Sequence, residues 1–253
     1  MAQNTFERLE KKVLINNDLV PDFIRDISDY MEPDVFNKDG EPYMVCNIYF
    51  DNDNNDVIRR SVMKPPFKEK LRMRSYGVPD ETSTVFIELK RKLYGVGTKR
   101  RARITLAQAY RYLNEGIHPE NLSYIDSQVL KEIDYFRELN HVYPKVYISY
   151  LRNAFYGKED SSFRVTVDKD IVTRRHDLRL ESGRYGELLL PDGKTLLEIK
   201  FAGALPLWFS RIMDKYGIIF GTYSKYGSEF QKYTKKQIEN RPDYIPRMEA
   251  SSK

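Results

Sequence analysis

The stretch Leu71-Arg72-Met73-Arg74, followed beyond a turn by Phe86-Ile87-Glu88-Leu89-Lys90, decides how this chain folds. In an extended strand, residues two apart share a face. Arg72 and Arg74 therefore lie on one side and Leu71 and Met73 on the other, while Glu88, Lys90 and Lys92 oppose Ile87 and Leu89. Glu198 and Lys200 stand in the same way against Leu197 and Ile199, and Arg164, Thr166 and Asp168 against Val165 and Val167. Arg8, Glu10 and Lys12 oppose Leu9 and Val13 less regularly, because Lys11 interrupts the alternation. A single charged strand face is ordinary on a solvated sheet. Five strands that each gather long, mostly cationic side chains on one side are not, since like charges on neighbouring strands repel. Such a set needs an anion, or free access to water, to offset it. A sheet curled with these faces inward and helices outside would line a tunnel, where the charges act on a bound polyanion under weak screening.

Outward from these strands the pattern continues. Residues 6–14, 43–50, 69–76, 84–92, 99–104, 146–155, 163–168 and 195–201 read as strands, with turn signals such as Asp39-Gly40, Pro79-Asp80 and Asp192-Gly193 between them. Helical spacing suits residues 18–30, with Pro21 near the start, and 105–113 behind a threonine cap. Residues 125–139, 206–216 and 229–237 complete the helical set. Strands outnumber helices and do not alternate with them, which predicts an antiparallel α+β architecture. No repeat or low-complexity linker divides the chain, so residues 1–253 read as one domain ending in a basic helix and tail from about residue 229.

Composition narrows the function classes. At 41% hydrophobic and 31% charged, the 253 residues suit neither a disordered polymer nor a membrane bundle. No run is long and apolar enough to span a bilayer, and the start lacks an apolar signal region, which predicts a cytoplasmic protein. The single cysteine, Cys46, excludes a disulfide framework and a cysteine-rich zinc site. His118, His141 and His176 are too scattered for a metal site or a catalytic triad. Lys and Arg total 42 against 37 acids, a net charge of +5 that predicts a mild preference for anions. No nucleic-acid motif is visible, and nucleic acid is not an expected partner.

Taken in order, Arg8-Leu9-Glu10-Lys11-Lys12, Asn47-Ile48-Tyr49-Phe50-Asp51, the two stretches quoted at the outset, Ser149-Tyr150-Leu151-Arg152, Arg164-Val165-Thr166-Val167-Asp168, Leu197-Glu198-Ile199-Lys200 and Ser224-Lys225-Tyr226 resemble a VTC domain. That is the polyphosphate polymerase domain of the vacuolar transporter chaperone family, in the triphosphate tunnel metalloenzyme superfamily. The resemblance implies an antiparallel eight-stranded β-barrel tunnel with helices packed outside. It also implies metal-dependent transfer of the γ-phosphate of ATP onto a growing polyphosphate chain. Carried over by position, Arg72, Arg74, Lys90, Arg152 and Arg164 would be catalytic. Lys12, Arg101, Tyr150 and Lys225 would bind ATP and inorganic polyphosphate, and Arg8 and Lys200, on the same strand faces, are further candidates for that contact. Glu198 would hold Mn²⁺ or Mg²⁺, ions that prefer oxygen ligands, and Glu10 and Glu88, the other acids among the inward cations, are further candidate ligands by strand phase alone. Where the wider superfamily begins Glu-x-Glu-x-Lys, this chain has Arg8, which favours a longer polyanion and argues against a two-metal mechanism. A triphosphatase working in the same tunnel and a non-catalytic polyanion-binding module are the alternatives. With no spanning segment, passage of product across a membrane is left to an unidentified membrane partner.

Overall fold

Each segment that alternates charged with apolar residues is a strand in the computed structural model, which describes residues 8–37 and 40–240. The strands are β1 Arg8–Asn16, β2 Met31–Pro33, β3 Tyr43–Asp51, β4 Phe67–Tyr76, β5 Thr84–Leu93, β6 Val96–Thr105, β7 Tyr143–Gly157, β8 Arg164–Arg174, β9 Glu187–Leu188 and β10 Lys194–Ala202. The helices are α1 Val20–Ile27, α2 Asp56–Val62, α3 Leu106–Glu115, α4 Tyr124–Asn140, α5 Leu207–Lys215 and α6 Lys225–Glu239. One antiparallel sheet runs β1-β10-β8-β7-β3-β4-β5-β6, with β2 added to β7 and β9 to β8.

The α+β class is as expected, but the barrel is not closed by backbone hydrogen bonds, because β1 and β6 end the path. A side-chain contact crosses the concave side near this opening: Glu10 Oε2 on β1 lies 3.5 Å from Lys90 Nζ on β5. Like charges facing across a closed ladder would repel. The open seam leaves room for Glu10 to sit between Lys12 and Lys90.

The apolar halves of the alternation face outward, under helices. Met73, Ile87, Leu89 and Ala102 pack with Tyr112 of α3 and with Leu130, Ile133 and Phe136 of α4. Val165, Val167, Leu197 and Ile199 pack with Phe23 and Ile27 of α1 and Phe209 of α5. Burial of each such side chain contributes roughly 1.5–3 kcal/mol, enough to fix which face turns inward. Thr105 caps α3 in a reciprocal arrangement with Gln108, and Gly116 ends that helix at a φ of 74°. A third apolar cluster, with Val45, Ile148, Tyr150, Ile171, Leu196 and Tyr226, floors the concave side below α6 and α2.

Two helices depart from expectation. Helix α2 was not foreseen in so short and polar a segment. It is held by Asp51 of β3, whose carboxylate accepts from the Val57 and Ile58 amides at 2.9 Å each and from the Tyr226 hydroxyl at 2.8 Å. Helix α6 begins at Lys225 rather than near residue 229, because Ser224 accepts from the Gly227 amide at 3.1 Å and starts it early. That earlier start is what brings Lys225 into the concavity. The tail beyond residue 240 lies outside the described residues.

Candidate functional site

Strand register places the inward side chains opposite one another: Arg72 beside Tyr49 and Glu88, Glu88 beside Arg101, Arg152 beside Asp168, and Lys12 beside Glu198. On the β4–β6 wall the centre is Glu88, which is fully buried. Arg72 Nε donates to its Oε2 at 2.7 Å and Arg101 Nε to its Oε1 at 2.7 Å, while Lys99 stands 3.6 Å away. Burial pushes this carboxyl up, but Arg72, Arg74, Lys99 and Arg101 outweigh it and hold it well below the usual range. Arg74 donates to Asn47 Oδ1 at 2.8 Å and to the Tyr150 hydroxyl at 3.0 Å.

The floor beside this wall carries a softer pair. The Tyr49 hydroxyl accepts from Arg72 at 3.3 Å, and its ring stacks on Tyr226 with centroids 4.7 Å apart. Burial would raise this phenol, yet Arg72, Arg74 and Lys70 bring it down to about 8. Lys70 reaches Ser224 Oγ at 3.4 Å. Burial, with Lys68, Lys90 and Lys12 nearby, lowers its ammonium to about 8 despite Tyr49.

The β1–β10–β8–β7 wall is organised by lysines. Arg152 forks onto Asp168 at 2.6 and 2.8 Å, and Lys225 pairs with the same carboxylate. Glu198 accepts from Lys200 at 2.7 Å, with Lys12 at 3.8 Å and Arg152 at 4.0 Å. Lys12 lies 2.5 Å from Glu10, so the two glutamates share it. Burial and the charge of Glu198 push Glu10 up, but Lys12, Lys90 and Lys200 prevail and it titrates at about 2.

Lys12, Arg72, Arg74, Lys90, Arg101, Tyr150, Arg152, Lys200, Lys225, Glu10, Glu88 and Glu198 are thus linked on one concave face. Arg164 shares the strand phase and lies opposite Lys200, but it is exposed at the rim and makes no ion pair among the described residues. The side chain of Arg8 lies outside the described residues. The expectation omitted Asp168, Asn47, Tyr49, Lys70, Lys99 and Ser224. Phase alone points to Lys70 and Lys99, which align with Arg72 and Arg101, and it puts Asp168 on the inward face with Arg164, though not as a site residue. The cations Lys12, Lys70, Lys90, Lys99, Lys200, Lys225, Arg72, Arg74, Arg101 and Arg152 exceed the carboxylates Glu10, Glu88, Asp168 and Glu198 by six, more than the net +5 of the whole chain. No group of three or more His, Cys, Asp or Glu positioned to hold a metal occurs among the described residues, so any ion here would rest on fewer protein ligands.

An antiparallel sheet with helices outside and cations on its inner face defines a domain built to hold a polyanion. The chain belongs to the VTC domain family, which matches residues 7–233. Among solved structures, the fold is similar to a candidate adenylate cyclase from Bacillus halodurans, at 15% identity and a TM-score of 0.49 over 86% of this chain and 95% of that one. It is also similar to a candidate adenylyl cyclase from Hippeastrum described as having a dominant triphosphatase activity, at 16% identity and a TM-score of 0.48 over 89% and 96%. No curated protein matches the sequence.

Proposed function

We propose that this protein is a metal-dependent polyphosphate polymerase that moves the γ-phosphate of ATP onto the end of a polyphosphate chain. The observation that carries this reading is the excess of six cations on one face, three of whose guanidinium groups are pre-oriented by Glu88 and Asp168. Phosphoryl transfer needs in-line placement and neutralisation of charge more than it needs covalent chemistry. Arg72, Arg101 and Arg152 are held as forks that match phosphate oxygens, and Lys12, Lys90 and Lys200 add point charges along the same path. The attacking group would be a terminal phosphate oxygen of the polymer, already anionic. No histidine base is required, in keeping with a face built without one.

The donor set fits one Mn²⁺ or Mg²⁺. Glu10 and Glu198 share Lys12, Glu10 partly exposed and Glu198 buried, and such ions take one or two carboxylates and complete their shell with water and phosphate oxygens. When bound, the ion would draw charge from the triphosphate and so assist departure of the diphosphate product. Glu88 was expected beside them, but with both oxygens taken by Arg72 and Arg101 its role in this mechanism is to position those two side chains. No helix among the described residues is long and apolar enough to cross a membrane.

Incubation of the purified protein with ATP and Mn²⁺, followed by gel sizing, tests the reading. A ladder of phosphate polymer is expected. Orthophosphate alone would mean a triphosphatase, and unconsumed ATP would mean a binding module.

A further inference from the structure

The concave face ends, at one mouth, in aromatic rings that the phosphate chemistry does not use. Tyr76 follows Arg74 in phase on β4, and Phe86 precedes Glu88 in phase on β5. Phe36, from the segment after β2, lies parallel to Tyr76, with centroids 5.9 Å apart and planes within 2°. Tyr43 stands 5.9 Å from Phe36 and 6.0 Å from Tyr76, and Phe86 lies 5.8 Å from Tyr76. Phe36 is 58% exposed and Tyr76 39%, and neither they nor Phe86 belong to any of the three apolar clusters. These rings are therefore not core.

They are joined to the cationic face by Arg74 and Arg101, whose side chains both hydrogen-bond to Tyr76. The Arg101 guanidinium lies 4.3 Å from the centroid of Phe86 while its Nε donates to Glu88. A phosphate held by Arg74 and Arg101 would thus sit immediately beside the aromatic mouth.

We infer that this mouth is a nucleobase platform, on which the base of the donor nucleotide stacks at Phe36 and Tyr76 while its phosphates lie on Arg74 and Arg101. Inorganic triphosphate and polyphosphate have no flat apolar surface to offer exposed rings. A purine does, and stacking on aromatic side chains is tolerant of base identity. ATP and GTP are accordingly expected to be held alike. The inference rests on the proposal that the concave face binds phosphate chains.

The test is equilibrium binding of ATP, GTP and inorganic triphosphate, without divalent metal, to the wild type and to Phe36→Ala, Phe36→Leu and Phe36→Trp. Phe36 is 58% exposed and outside the three apolar clusters, so these variants are expected to fold, and inorganic triphosphate reports whether Tyr76, which hydrogen-bonds with Arg74 and Arg101, has shifted with them. Phe36→Ala is expected to weaken ATP and GTP about tenfold and to leave inorganic triphosphate unchanged. Trp should retain the nucleotide affinity, and Leu, apolar but without a π face, should not. Unchanged nucleotide affinity in Phe36→Ala, or an equal loss for all three ligands, overturns the platform. A change in oligomeric state at unchanged nucleotide affinity also overturns it and marks the rings as a protein contact. If the wild type binds none of the three ligands, the failure lies with the phosphate-binding face itself.

Discussion

Glu88 and Glu198 sit in matching sequence settings, Ile-Glu-Leu-Lys and Leu-Glu-Ile-Lys, each on an inward strand face with a lysine two residues on. Their surroundings differ completely. Glu88 has no exposed surface and is clasped by two guanidinium groups, both at 2.7 Å. Glu198 meets Lys200 at 2.7 Å, but its other cations, Lys12 and Arg152, stand back at 3.8 and 4.0 Å, and a second carboxylate lies close by. Planar forks use up a carboxylate's lone pairs, whereas point charges on flexible stems leave room for another cation. The same four-residue pattern therefore makes a positioning residue on one wall and a candidate metal ligand on the other.

The largest effect expected from this contrast concerns turnover. Glu198→Gln should abolish metal-dependent transfer, because a hard cation needs the anionic oxygen. Polyphosphate binding should survive or tighten, since a negative charge has left a cationic face. ATP consumption and polyphosphate affinity measured on the same folded variant check this, and retained turnover would equate the two glutamates. On the opposite wall the effect should fall on stability. Glu88→Ala leaves the Arg72 and Arg101 charges without their buried partner, a loss of about 3–5 kcal/mol. Denaturant titration should show it as a lowered midpoint, and a near-wild-type midpoint would mean that Glu88 does not organise its wall.

A smaller effect belongs to the forks themselves. Arg72→Ala and Arg74→Ala should each weaken ATP and polyphosphate together by roughly tenfold or more, since a charge-assisted hydrogen bond contributes about 1.5–3 kcal/mol. Titration calorimetry with both ligands would show a loss for one ligand alone if the two did not share this wall. The smallest effect is one of pH. Lys70 and Tyr49 both titrate at about 8 in the folded protein, against ordinary values of 10.5 and 10.0. Raising pH through 8 therefore removes a positive charge at Lys70 and adds a negative one at Tyr49 while the arginines stay charged. Polyphosphate affinity should fall over that range, and binding above pH 8 should take up protons. Calorimetry in buffers of different ionisation enthalpy reads that uptake, and none would be seen if neither group felt the ligand.

Much of the sheet was legible because its two faces carry opposite, strong signals: Leu71 and Met73 could only be buried, and Arg72 and Arg74 could only face polar surroundings. What stayed hidden depended on contacts distant in sequence. Helix α2 is started by Asp51 and Tyr226, and neither its length nor its composition announces it. The early start of α6 places Ser224 beside Lys70, a contact between residues far apart in the chain that periodicity cannot show. The unequal roles of Glu88 and Glu198 were illegible for the same reason. Phase puts both inside, but only the register with Arg101 on one side and Lys12 on the other tells them apart.

That difference is most directly measured as Mn²⁺ binding, by electron paramagnetic resonance, to the protein loaded with a non-hydrolysable ATP analogue. The wild type and Glu88→Gln, where the neutral amide keeps a hydrogen-bond acceptor for the arginines, should retain the protein-bound signal, and Glu198→Gln should lose it. A signal that persists in Glu198→Gln and disappears in Glu88→Gln would contradict the assignment of the metal to the β1–β10 wall.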